Sequence, residues 1–145
     1  MRYICLKYKP ELLHLNDPAY YAVVEQMAGI VGDILEASRM PCYTTAMSRE
    51  DFTAKIIEMT DKVSTWFAKD GKHFIAGNHV SWVDFIYFEL LELQDFITQG
   101  KIYTVYPHLK EYRDRVHNLP KLKDYIEGPD FMSRPLNNKS AKLNN

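Results

Sequence analysis

The sequence predicts an all-α domain, built as a helical bundle of about five helices. Apolar residues recur at the three- and four-residue spacing of a helix face in several segments, and no segment shows convincing strand alternation. Residues that favour helix starts, such as Pro after a polar pair or Ser before acidic residues, precede these segments. The length of 145 residues suits one compact domain.

The first long helix is predicted to start at Asn16-Asp17-Pro18 and to run to about Thr44. Asn16 or Asp17 can cap it, and Pro18 suits the first helical position because its missing N–H costs nothing there. Pro41 cannot donate an N–H, so a kink or local break is expected at that point. The apolar face of this helix consists of Tyr20, Val23, Val24, Met27, Ile30, Val31, Ile34 and Leu35.

The second long helix is predicted to start at Ser48. Glu50 and Asp51 place negative charge at its positive end, and Gly71 is a suitable stop. A short turn near Thr45–Met47 would let the two long helices pack antiparallel. The main apolar stripe of the second helix is Phe52, Ile56, Met59, Val63 and Phe67.

A third helix is predicted from Trp82 to about Leu93, preceded by the sequence Ser81-x-x-Asp84. This spacing is an aspartate version of the capping box, in which the two side chains satisfy backbone N–H groups at the helix start. The helix is apolar on nearly every face, which is typical of the central helix of a bundle. Ser81 and Asp84 are therefore interpreted as structural capping residues.

Two shorter helices are predicted to follow, starting at Tyr106-Pro107 and Leu119-Pro120. Gly128-Pro129 would end the second of them. The remaining polar tail, 129–145, has little to bury, and we expect it to be mobile unless a partner holds it.

Composition and spacing make several function classes improbable. The net charge is −1 with acids and bases interspersed, so neither nucleic-acid binding nor attraction to anionic membranes is predicted. No apolar run approaches the roughly 20 residues that cross a bilayer, so membrane insertion is not expected. The two cysteines and five histidines show no metal-ligand spacing, and no metal site is predicted. So few cysteines favour a reducing compartment such as the cytoplasm.

The segment from Phe74 to Phe85, FIAGNHVSWVDF, resembles the signature of glutathione transferase C-terminal domains. In that family an aromatic-x-A-G-x segment precedes an S/T-x-x-D cap on the buried central helix. Four further segments resemble the mu class in order and spacing: Arg2–Ile4, Cys42-Tyr43, Tyr106–Lys110 and Phe131–Pro135. The resemblance covers nearly the whole chain and implies the helical half of a mu-class glutathione transferase.

The resemblance implies three parts. Residues 1–15 match a remnant of the last helix of a thioredoxin-like domain plus a linker, 16–128 match the helical domain, and 129–145 form the tail. Because the chain starts partway through that last helix, the thioredoxin-like domain is expected to be absent. An incomplete chain, a truncated relative and one half of a split enzyme, whose thioredoxin-like half is separate, all remain open.

The resemblance also implies two site residues. Tyr43 matches a tyrosine of the electrophile pocket, and Asp33 matches an aspartate that reaches across the dimer toward the glutathione amine. A carboxylate is a natural partner for an ammonium group. Ordinary packing for Tyr43 and a solvated helix charge for Asp33 remain equally open.

Two functions follow from these expectations. The first is a helical module that is non-catalytic by itself and acts as a binding or structural part of a homodimer or larger assembly. The second is part of an active mu-type transferase that conjugates glutathione, as co-substrate, to hydrophobic electrophiles; no cofactor is expected. A small-ligand carrier using the pocket near Tyr43 ranks last. Tyr3, Ile4 and Leu6 are expected to lie exposed in an apolar interface patch.

Overall fold

The computed structural model describes residues 1–44, 47–132 and 135–143, which form seven α-helices and no β-strand. The all-α prediction is therefore confirmed for these residues, with two short helices beyond the five expected. The helices are α1 Arg2–Tyr8, α2 Pro18–Arg39, α3 Arg49–Ala68, α4 Trp82–Thr98, α5 Lys101–Val105, α6 Pro107–His117 and α7 Pro120–Ile126. Short 3-10 helices cover Pro10–Leu13, Met40–Tyr43 and Lys69–Gly71.

Helix α4 lies at the centre of the bundle, as its apolar sequence predicts. It packs against α2, α3, α5 and α6. It extends to Thr98, beyond the predicted end near Leu93, because Gln94, Ile97 and Thr98 are also buried in the bundle. Gln99 and Gly100 end it in left-handed conformations, with φ of 52° and 84°. Its buried residues are Trp82, Val83, Asp84, Tyr87, Phe88, Leu90, Leu91, Leu93, Gln94, Ile97 and Thr98.

Helix α2 starts where the sequence predicts and ends earlier than predicted. Asp17 is the cap, since its Oδ1 accepts the N–H of Tyr20 at 3.0 Å. The α-helix stops at Arg39, and the chain continues as the 3-10 helix Met40–Tyr43. Pro41 has no N–H for an α-helical bond, so the predicted break occurs beside it.

Helix α3 begins after Ser48, whose Oγ accepts the N–H of Asp51 at 3.1 Å. Gly71 closes the 3-10 helix after α3 with φ of +58°. This left-handed conformation is one that glycine adopts without strain. Thr45, in the turn predicted between α2 and α3, lies outside the described residues.

The interior consists of two apolar clusters, and α4 contributes to both. The first cluster surrounds the N-terminal part of α4 and includes residues of α1, α2, α3 and α6. The second surrounds the C-terminal part of α4. Its buried members are Cys42, Phe52, Ile56, Leu93, Ile97 and Ile102.

The C-terminal residues return to the second cluster. Leu136 and Leu143 pack against it, and Asn137 is only 8% exposed. This arrangement differs from the expected tail with little to bury. Ser133 and Arg134, within the predicted F-x-x-R-P segment, lie outside the described residues. Within the described part of the chain, no helix is long and apolar enough to cross a membrane.

Candidate functional site

The start of α4 is organised around the buried carboxylate of Asp84. Ser81 and Asp84 form a capping box, and Asp84 Oδ2 accepts the Ser81 N–H at 2.7 Å and the Ser81 hydroxyl at 2.8 Å. Asp84 Oδ1 accepts the Ile75 N–H and the Tyr112 hydroxyl, each at 2.8 Å. Both carboxylate oxygens are thus occupied by internal donors, and the group joins the incoming loop, α4 and α6.

Electrostatics favour this structural role. Burial raises the pKa of Asp84, while the four donors act in the opposite direction. Burial and the neighbouring carboxylate raise the pKa of Tyr112 well above its usual value. The Tyr112 hydroxyl therefore stays protonated and remains a donor. Asp84 is 0% exposed, so its carboxylate is shielded from solvent.

Tyr20 fixes the loop that leads into this cap. Its hydroxyl donates to the carbonyl of His79 at 2.7 Å and accepts the His79 N–H at 3.1 Å. A Cβ on Gly77 would lie 2.9 Å from the Tyr20 ring, and Gly77 has φ of +154°. The glycine of the A-G-N segment is thus required by a close contact as well as by its backbone.

Asp33 lies on the exposed side of α2, at an open groove between α2 and α3. The groove has a volume of about 570 Å³. Its lining combines apolar side chains with charged side chains of both signs. The lining residues are Ile30, Asp33, Ile34, Ala37, Lys55, Glu58, Met59 and Lys62.

Tyr43 lies at the end of the 3-10 helix that follows α2 and is half-buried against the second cluster. The structure packs it against the second cluster, while Asp33 lies in the separate groove. These two predicted site residues therefore do not form one site within this chain. Ser81 and Asp84 occupy the opposite end of α4. Among the described residues, no group of three His, Cys, Asp or Glu is placed to hold a metal ion.

Two contributors were missed by sequence reasoning. Tyr112 was expected to face inward, but nothing in its spacing indicated a bond to Asp84, 28 residues earlier. Asn137 was assigned to a solvated tail, yet it is buried and its Nδ2 donates to the carbonyl of Leu143 at 3.2 Å. Contacts of this kind depend on chain topology, which helix periodicity does not specify.

Comparison with known proteins identifies the family to which this helical domain is similar. Residues 33–129 match the family described as "Glutathione S-transferase, C-terminal domain". A class-mu 26 kDa glutathione S-transferase, isozyme 51, of Fasciola hepatica is 30% identical over 139 residues, covering 94% of this chain and 61% of that protein. Glutathione S-transferase Mu 2 of Mus musculus is 32% identical over 110 residues, covering 72% of this chain and 48% of that protein.

The fold comparison agrees with the sequence comparison. The crystal structure of the glutathione S-transferase Blo t 8 matches with a TM-score of 0.81 at 19% identity, covering 97% of this chain and 66% of that chain. At this identity the likeness concerns the fold alone. The chain thus spans between about half and two thirds of these proteins.

Proposed function

Because this chain belongs to the family of glutathione S-transferase C-terminal domains, we propose that it is a helical binding module that docks against other protein surfaces. By itself it does not catalyse conjugation. Its partners are a thioredoxin-like domain, joined to it or separate, and a second subunit in a homodimer or larger assembly. Both cysteines are free thiols, which agrees with a reducing compartment such as the cytoplasm.

The observation that carries this proposal is the exposed apolar surface of α1. Tyr3, Ile4, Leu6 and Tyr8 are 74%, 56%, 58% and 64% exposed. Fully burying one such side chain is worth roughly 1.5–3 kcal/mol. A seven-residue helix carrying four of them presents a surface suited to an interface.

Helix α1 is held in place on its other side. Cys5 is buried in the first cluster. The guanidinium of Arg2 pairs with Glu25 of α2 and lies 4.6 Å from the Trp82 ring centroid. The helix is therefore attached to the bundle while its apolar residues face outward.

Light scattering at micromolar concentration tests the exposed surface directly. We expect the chain to self-associate, because α1 otherwise stays in water. Ile4→Glu should shift the population toward monomer, whereas Lys7→Gln on the same helix changes the charge by the same amount and should not. A monodisperse wild-type monomer, or equal behaviour of the two variants, would count against the interface.

The groove that contains Asp33 supports the homodimer part of the proposal. The resemblance assigns Asp33 to the glutathione amine of a neighbouring subunit, and the exposed carboxylate lies at an open groove. In a dimer that binds glutathione, Asp33→Asn should weaken glutathione binding. Glu58→Gln, in the same groove, serves as the matched control. Calorimetry with glutathione would show equal affinities for the two variants if Asp33 has no such role.

The alternative is that this domain is part of an active mu-type transferase, and the position of Tyr43 favours it. Tyr43 is half-buried at the end of the 3-10 helix that follows α2, next to the second cluster. A fusion that places a mu-class thioredoxin-like domain ahead of Arg2 would test this. Turnover that falls with Tyr43→Phe, while Tyr125→Phe leaves it unchanged, would support the alternative.

A further inference from the structure

Cys42 is covered by residues from the far end of the chain. It is 0% exposed, and its thiol donates to the carbonyl of Ser38 at 3.4 Å. The N–H groups of Lys142 and Leu143 donate to the Cys42 carbonyl at 2.8 and 3.1 Å. The side chain of Asn137 hydrogen-bonds the thiol itself. Three groups of one segment thus converge on a single cysteine.

This segment, residues 135–143, is called the C-terminal strap below. Leu136 and Leu143 pack against the second cluster while remaining half-buried, and Asn137 is its buried residue. Asn138 Oδ1 accepts the N–H of Ser140 at 3.0 Å, which turns the strap back toward Cys42. A segment with so few buried apolar groups opens at a lower free energy than the helices beneath it.

Some of the groups that affect the Cys42 thiol belong to the strap, and others are held by the helices. Burial raises the pKa of the Cys42 thiol, while Asn137 and the nearby cation of Arg49 act in the opposite direction. Arg49 is held by α4, since its guanidinium donates to the carbonyls of Phe96 and Ile97 at 3.2 and 3.1 Å. Opening the strap removes the hydrogen bond of Asn137, but it also reduces the burial, which has the larger effect on the thiol pKa, and it leaves the cation in place. The net change favours the reactive thiolate.

We propose that the C-terminal strap is a gate that controls access to the Cys42 thiol. With the strap closed the thiol is covered; with the strap open it is exposed to solvent and can react with an alkylating probe. With iodoacetamide, a carbon–sulfur bond forms at the methylene carbon, iodide leaves, and the thiol proton passes to solvent. This inference does not depend on the proposed function, because it requires neither glutathione nor a partner domain.

The test compares alkylation rates of the two cysteines in the native chain by peptide mass spectrometry. Cys5 serves as the internal control, because it is also buried, at 4% exposure, but belongs to the first cluster. The test variant combines Leu136→Ala and Leu143→Ala. The matched control, Lys139→Ala, lies on the exposed side of the same strap.

The expected result is Cys42 alkylation roughly tenfold or more faster in the double variant than in the wild type or Lys139→Ala, with Cys5 unchanged. Equal acceleration of both cysteines, or no acceleration, would overturn the proposal. If the double variant fails to fold, the wild type is alkylated across low urea concentrations. A Cys42 rate nearly independent of urea, beside a Cys5 rate that rises with it, supports local opening; equal slopes overturn it.

Discussion

The two ends of α4 are closed in different ways. At the N-terminal end, the carboxylate of Asp84 receives four donors, from Ile75, Ser81 and Tyr112. At the C-terminal end, the second cluster is closed by the strap, whose Leu143 bonds to Cys42. The first closure joins residues that lie within 28 positions of Asp84. The second joins Cys42 to residues about a hundred positions away, at a greater loop-closure cost. We infer that the first end fixes the fold and that the second end opens first.

Asp84→Ala should produce the largest loss of stability. It removes the acceptor for two backbone N–H groups and two hydroxyls that are otherwise buried. The expected decrease in the free energy of unfolding is about 3–5 kcal/mol. Urea denaturation followed by circular dichroism measures it. The control Asp33→Ala, on the exposed face of α2, should change stability by less than about 0.5 kcal/mol. Similar losses for the two variants would contradict a special stabilising role of Asp84.

Tyr112→Phe should have the next largest effect. It deletes one hydrogen bond to a charged group inside the core and keeps the ring, which packs edge-on against Phe67. Such bonds contribute roughly 1.5–3 kcal/mol. The control is Tyr125→Phe, since that side chain is largely exposed. Thermal unfolding at the same midpoint for both variants would show that the Tyr112 hydroxyl is dispensable.

Ser81→Ala should cost less, about 1 kcal/mol. The backbone N–H of residue 81 still reaches Asp84, so only the hydroxyl contribution is lost. Chemical denaturation of Ser81→Ala, of Asp84→Ala and of the double variant measures the coupling between the two residues. If the two residues act as one unit, the double variant is less destabilised than the sum of the single variants. Simple additivity would argue against a coupled capping box.

Leu143→Ala should have the smallest effect on global stability, about 1 kcal/mol or less, because the strap opens before the helices unfold. Its main effect should appear locally, as faster amide exchange at Lys142 and residue 143, whose N–H groups bond to Cys42. Exchange at Leu90, in the buried part of α4, is the reference. Equal acceleration at both places would mean that the strap belongs to the same cooperative unit as α4.

Much of the fold can be predicted from periodicity and caps, and the limits have physical causes. The start of α2 at Asp17, the break at Pro41 and the central position of α4 all follow from local rules. Helix α5 spans five residues, too few to show a periodic stripe. The return of the strap to Cys42 rests on Asn137 and two leucines in a polar segment, where composition indicates exposure.

The candidate site was less accessible to sequence reasoning. Capping by Ser81 and Asp84 follows from their spacing, but the donors from Ile75 and Tyr112 require the folded chain. Tyr43 and Asp33 were assigned by resemblance alone. Their roles concern surfaces that a second domain or subunit completes, so they stay predictions until those partners are tested.

We propose that this helical domain binds partners and does not conjugate glutathione by itself. The most direct test is the initial rate of thioether formation between glutathione and a reactive aryl halide, with and without the purified chain. We expect the rate to stay at its uncatalysed value at every concentration of the chain. A rate that rises in proportion to the chain, and falls with Tyr43→Phe, would contradict it.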